Sequence, residues 1–448
     1  METQKKKERK FTQSITFKAM IIAVLTLLML IPGSMIENLI SERQYRSWET
    51  IEKINEKWSK AQTICAPILS IPYTTTTKIA DDKDFNVEHI YHLTPEKLHI
   101  TAKLFPEERH YGIYKAILYK SKINIEGNFP NISDLEISNS VFHWEKAYIS
   151  FGISDLAGVA NDVDITIDKK SHKTKAENNA QLETKALVAD IADSTVFQSD
   201  KSISFSCNLD LNGSKEIEFI PIGKTTSVEL SGKWTSPGFI GTFSPDYTID
   251  DTSFSAKWNI LHFNRDIPEN WIDKKQFSFN NSSFGVNLVN TVDHYQQNMR
   301  SAKYALMFIA LTFVVFFFVE VLTKKRIHPI QYLLVGIALI LFYSLLLSLS
   351  EQISFAIAYL IASIATIGLI AVYVFSIFKN KTQTLLLTLM LFGLYAFLYV
   401  VLQLEDYSLL IGSIGLFVIL GVIMFVSRKI NWYRQDEIEE SSKIPDEK

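Results

Sequence analysis

The chain has 448 residues, 47% of them hydrophobic and 21% charged, with a formal net charge of −3. So much apolar side chain excludes an ordinary soluble enzyme, so much charge excludes a bare membrane bundle, and a near-neutral balance gives no global pull toward nucleic acid. The two characters must be segregated along the chain, and they are.

The first element is a basic head, "KKKERK" from Lys5 to Lys10, followed by an apolar run from Phe17 to Ile36. A bilayer core of about 30 Å needs about 20 apolar residues in a helix, which this run supplies. A cleaved leader would look similar over Ala19 to Ile31, but no small-x-small site follows: Pro32, Met35 and Ile36 stand where small residues are needed. An uncleaved anchor over residues 17–36 is expected, with residues 1–16 as a basic cytoplasmic N-terminus that orients it.

Residues 37–303 are long enough for one large domain or two small ones. The segment opens with Trp48, Ile51, Ile54 and Trp58 at helical spacing, which predicts that the anchor continues outward as an amphipathic stalk. The period then changes. "SISFSCNLDL" places Ile203, Phe205, Cys207, Leu209 and Leu211 on one face, and "VDITID", "SFSAKW" and "SFGVNLV" alternate likewise. Strands of this kind between Asn-Gly, Pro-Gly and Ser-Gly turns predict antiparallel sheets packed as a sandwich. The polar stretch "KKSHKTKAENNAQLETKA" from Lys169 to Ala186 reads as a mobile loop. The two cysteines, Cys65 and Cys207, could pair in an oxidising compartment, or Cys207 could serve as a small buried hydrophobe on its strand.

Motifs for chemistry are near misses. "PIGKTT" lacks the glycine five residues before Gly223 that a phosphate-binding loop requires; Glu218 stands there, so a strand-turn-strand is expected. His89 and His92, three apart on a strand, point to opposite faces and cannot jointly grip a metal without the help of another element. No catalytic, metal or cofactor motif is found, and no enzyme activity or cofactor is expected.

Five further apolar runs complete the chain: residues 304–323, 331–350, 353–378, 385–404 and 408–426. Lys324, Lys325 and Arg326 lie in one connection, Lys379 and Lys381 in the next but one, and Arg428, Lys429 and Arg434 after the last run; the alternate connections carry Glu351 and Glu405 without Lys or Arg. The positive-inside rule puts both termini in the cytoplasm, including the tail 427–448, and residues 37–303 outside. Glu320 is the one acidic residue within a run, four residues before Lys324, a spacing that favours an interfacial pair. His328 is driven to extended geometry by Pro329, itself suited to a first helical turn. Glu320, Arg326 and His328 thus gather at the inner leaflet, either as parts of a tight helical hairpin or as a site for a headgroup. Ala358, Ala362 and Ala365 or Thr366 form a small-residue stripe that lets a neighbouring helix approach.

The string "YALMFIALTFVVFFFVEVLTKKRIHPIQYLLVGIALILFYSLLLSLSE" resembles the signature of the CreD family. "LIPGSMIENLISERQYR", "APILSIPYT", "EERHYGIYKAILY", "GKWTSPGFIGTFSP", "HYQQNMRSAKYA" and "KINWY" are similar to family segments in the same order. The resemblance implies a multi-pass bacterial inner-membrane protein with one span, a large periplasmic domain and five further spans, associated with cell-envelope integrity, stress response and colicin tolerance. It carries over no catalytic residues. The expected partners are the lipid bilayer and periplasmic or outer-membrane envelope components, with no nucleic acid. A membrane transporter or lipid-handling channel is the alternative, disfavoured by the shortage of charge within the runs.

Overall fold

The computed structural model describes residues 15–79, 83–133, 135–179, 184–198, 201–288, 294–323, 327–404 and 407–428. The chain divides into two compact units: one gathers Met1–Ser47 with Val292–Lys448, and the other is Trp48–Thr291.

The first unit is helical. Helix α1 (Ile15–Leu28) and α2 (Leu30–Trp58) are separated by a turn at Met29, and α2 continues into the second unit. Then come α3 (His294–Lys303), α4 (Ala305–Thr323), α5 (Pro329–Ser350), α6 (Phe355–Phe378), α7 (Lys381–Gln403) and α8 (Ser408–Ser427). Among the described residues, five helices are long and apolar enough to cross a membrane, or six if α3 and α4, bent by 45°, form one span. Local chemistry sets their ends. The Asn380 carboxamide caps α7 by accepting from the Thr382 N–H at 3.0 Å, and Lys379 closes α6 in the left-handed conformation at φ 50°.

Small residues bring these helices together. Ala358, Ala362 and Thr366 are buried along one face of α6 while Ala365 points away, so the small-residue stripe is a packing surface. Gly336 on α5 has the same use: a Cβ there would lie 2.9 Å from both Met29 Sδ and Phe313 Cζ. The first helical segment is thereby seated directly on α5. Phe342 meets the rings of Tyr359 and Tyr395 edge-on, and the Tyr359 hydroxyl donates to the Tyr395 carbonyl at 2.8 Å.

The second unit is a two-sheet sandwich. One sheet runs in the order Gly238–Gly241, Phe284–Asn287, Glu216–Ile220, Gln62–Ile79, Tyr148–Ile153, Thr184–Asp190 and Lys175–Asn179. The other runs Asp246–Ile249, Phe254–Leu261, Thr225–Gly232, Lys97–Tyr111, Tyr114–Phe129, Ile203–Ser214, Asp164–Ile167 and Lys170–Lys173. Their facing side chains, among them Ile68 and Phe151 from the first and Ile125, Leu209 and Trp258 from the second, form one core. The alternation read from the sequence is visible in Phe254–Leu261, where Phe254, Ala256, Trp258 and Ile260 are buried and their neighbours exposed. Gly112, at φ 60°, turns the long hairpin between Lys97–Tyr111 and Tyr114–Phe129.

Two expectations are corrected. The sheets are mixed, since Gln62–Cys65 pair in parallel with Ile217–Ile220 and Lys97–Leu104 with Thr225–Gly232. These partners lie far apart in sequence, so no tight turn imposes an antiparallel direction. The polar stretch after Asp168 is also not a loop throughout: Lys170–Lys173 and Lys175–Asn179 are strands, and Thr184–Asp190 begins within it. The first two lie at sheet edges, where backbone pairing holds a strand whose side chains are polar and where lysines guard against further pairing.

Cys65 and Cys207 are free and sit in different sheets. Burial pushes each thiol up to about 12. Both should therefore resist maleimide in the native protein at pH 7 and react at once when it is unfolded, a contrast measured by mass spectrometry of labelled protein.

Candidate functional site

The densest polar arrangement in the helical unit is built on Glu320. Its side chain is only 3% exposed, near the C-terminal end of α4, and an unpaired carboxylate there would be costly. Three donors meet it. Lys18, on α1, forms an ion pair with Oε1; the Ile327 backbone N–H donates to Oε1 at 3.1 Å; and the Tyr332 hydroxyl on α5 donates to Oε2 at 2.9 Å. Phe313 and Phe316 pack edge-on against the Tyr332 ring and hold it in place. One carboxylate thus joins α1, α4 and α5, and Lys18 retains 28% exposure through which its ammonium reaches solvent.

His328 is extended at φ −76°, ψ 142°, and Pro329 opens α5 as the first turn demands. Its Nδ1 accepts from the Ile330 N–H at 3.3 Å, while its own N–H donates to Gln331 Oε1 at 2.9 Å. The imidazole is therefore a helix cap. Glu320 and His328 are brought to adjacent parts of one connection but share no hydrogen bond among the described residues. Arg326 and Lys324 lie outside those residues. The partner found for Glu320 is Lys18, 302 positions away, which no local spacing rule could have named.

In the sandwich, His89 and His92 do face opposite ways. The His89 Nδ1 bonds Asp273 Oδ2 at 2.7 Å, whereas His92 is 1% exposed, with Nδ1 at 2.9 Å from Ser70 Oγ and its ring stacked on Trp271. No group of three or more His, Cys, Asp or Glu among the described residues could hold a metal ion. Burial lowers the His92 imidazole to about 4, against an opposing pull from Asp273. Because the folded state takes its proton later than the unfolded chain, His92 leaves stability intact above about pH 6.5. It then removes about 3 kcal/mol as pH falls toward 4. His92→Gln should flatten this part of the pH profile, so that wild type and variant converge or cross by pH 4.5 in denaturant unfolding followed by tryptophan fluorescence.

The "PIGKTT" segment is the expected strand-turn-strand, between Glu216–Ile220 and Thr225–Gly232. Its turn is held by Arg265, 7% exposed, a residue with no sequence signal: a lone arginine in a loop between strands. Nη2 donates to the carbonyls of Ile222 at 2.8 Å and Gly223 at 3.1 Å, and Nη1 donates to that of Ile267. Burial lowers the guanidinium to about 10, so it remains charged at neutral pH.

A bundle of apolar helices with a large mixed β-sandwich defines the class. The chain matches the family model described as Inner membrane protein CreD over residues 14–433. It is 31% identical over 426 residues to the Inner membrane protein CreD of Escherichia coli (strain K12), covering 91% of each chain. The chain belongs to the CreD family of inner membrane proteins.

Proposed function

We propose that this protein is a non-enzymatic, multi-pass component of the bacterial cell envelope. Its sandwich faces the periplasm, both termini are cytoplasmic, and its helices hold it in the inner membrane. On this reading it contributes to envelope integrity, the stress response and colicin tolerance, through contacts of the sandwich with periplasmic or outer-membrane components. The observation that carries it is the saturation of Glu320: the one acid within the apolar segments is consumed by Lys18, Tyr332 and the Ile327 N–H. A carboxylate so occupied ties helices together and is not set out along a path for substrate. The test is complementation. A deletion strain should lose tolerance of envelope stress and colicin and regain it with the intact chain; regained tolerance with the helices alone would oppose the assigned role of the sandwich.

A membrane transporter or lipid-handling channel is the second reading. It is favoured by Asn298 Oδ1, Ser301 Oγ and Thr312 Oγ1, which are buried without a hydrogen-bond partner among the described residues. All three lie on the buried side of the bent α3–α4 pair, and polar groups of this kind ask for water or a polar ligand. Replacing all three with alanine, valine or similar apolar residues should leave complementation intact on the first reading and abolish it on the second.

A further inference from the structure

The sandwich carries a cleft of about 340 Å³, at the small end of the about 300–1,000 Å³ typical of small-molecule sites. Four separate stretches of the described chain converge on it, represented by Tyr91 and Glu96, by Pro130 and Asn131, by Lys224, and by Glu269 with Asn270. We propose that this cleft binds a short saccharide, with Tyr91 and the flanking prolines against the apolar face of a sugar ring and Glu96, Asn131, Glu269 and Asn270 on its hydroxyls.

The walls are fixed before any ligand arrives. The Thr94 N–H and hydroxyl both donate to the Glu269 carbonyl, at 2.9 and 3.0 Å. The Lys224 N–H donates to Pro95 O at 2.8 Å, and Glu96 N–H to Asn128 O at 2.8 Å. Arg265 holds the Ile222–Gly223 turn from behind, which sets the position of Lys224. A cleft cross-braced in this way loses little freedom when it is filled.

The lining chooses the ligand class. A single lysine faces two glutamates, and Lys224 Nζ is already 3.4 Å from Glu269 Oε2, so a phosphate or other anion meets more repulsion than attraction. An apolar ligand would strand the carboxylates and carboxamides without partners. No metal cluster lies among the described residues. Planar carboxylate and carboxamide groups can each take two neighbouring hydroxyls, while Tyr91, Pro95 and Pro130 supply the apolar floor. That combination suits an amphipathic ring rich in hydroxyls. The inference goes beyond the proposed envelope role and holds whichever side of the membrane the domain faces.

The experiment is saturation-transfer NMR on the full chain in nanodiscs, with N,N′-diacetylchitobiose and cellobiose as probes and inorganic phosphate and triglycine as comparators. Saturable transfer to at least one disaccharide, weakened about tenfold by Asn270→Ala and by Glu96→Gln, is the expected result. Neither side chain braces the core, and unchanged thermal unfolding of both variants verifies that the fold survives. Ser206→Ala, on the outward side of the Ile203–Ser214 strand and outside the cleft lining, should leave transfer unaltered. Absence of saturable transfer to both disaccharides up to roughly 10 mM, transfer that survives both cleft variants, or stronger binding of phosphate or triglycine would overturn the proposal.

Discussion

Lys18→Met should destabilise the helical unit by about 3 kcal/mol, whereas Glu320→Gln should cost only about 1 kcal/mol, although the two substitutions break the same pair. The asymmetry follows from exposure. Without Lys18, the 3% exposed carboxylate is left, among the described residues, with two neutral donors, Tyr332 and the Ile327 N–H, inside an apolar bundle. Without the carboxylate, Lys18 still reaches solvent through its 28% exposed side chain, and glutamine keeps the shape and an acceptor oxygen. The double variant should recover to within about 1 kcal/mol of wild type, because no charge is then stranded. Thermal unfolding in nanodiscs, read by circular dichroism, measures all four proteins. Equal losses that simply add in the double variant would mean that the pair does not join α1 to α4.

Arg265→Met should cost the sandwich about 3 kcal/mol or more, and Arg265→Lys should recover little of it. The methionine fills the volume but leaves the carbonyls of Ile222, Gly223 and Ile267 without the donors they now have, at about 1–3 kcal/mol for each that water cannot reach. A lysine offers one ammonium where the guanidinium spans three carbonyls across a plane. For a domain of this size the loss corresponds to a fall in unfolding temperature on the order of 8 °C. Full rescue by lysine would show that the charge alone matters and the fork does not.

These two residues mark where sequence reasoning reaches and where it stops. Glu320 was conspicuous because an acid in an apolar run is expensive, and His328 because proline restricts its backbone. Each was legible from a local rule. The Lys18 partner was not, since helical spacing reaches only near neighbours such as Lys324, which lies outside the described residues, whereas the Lys18 contact closes over 302 residues. In the sandwich, the alternation of Phe254, Ala256 and Trp258 is a burial pattern and could be read directly. Lys170–Lys173 and Lys175–Asn179 could not, because edge strands are held by backbone bonds that leave no side-chain period. The parallel pairing of Lys97–Leu104 with Thr225–Gly232 was equally hidden, as alternation reports the face of a strand and never its direction. Arg265 gave no signal because its partners are backbone carbonyls, which every residue type carries.

The central claim is a sandwich outside the inner membrane, carried by helices whose inner ends lie in the cytoplasm. Single-cysteine labelling tests it most directly. Cys65 and Cys207 are 4% and 2% exposed, so the native thiols contribute little background. Phe263 is 82% exposed on the sandwich, and Lys381 is exposed at the start of α7. In intact cells whose outer membrane has been made permeable, a charged maleimide should label Phe263→Cys and spare Lys381→Cys until the inner membrane is disrupted. Labelling of Lys381→Cys from outside, or protection of Phe263→Cys until disruption, would contradict the account.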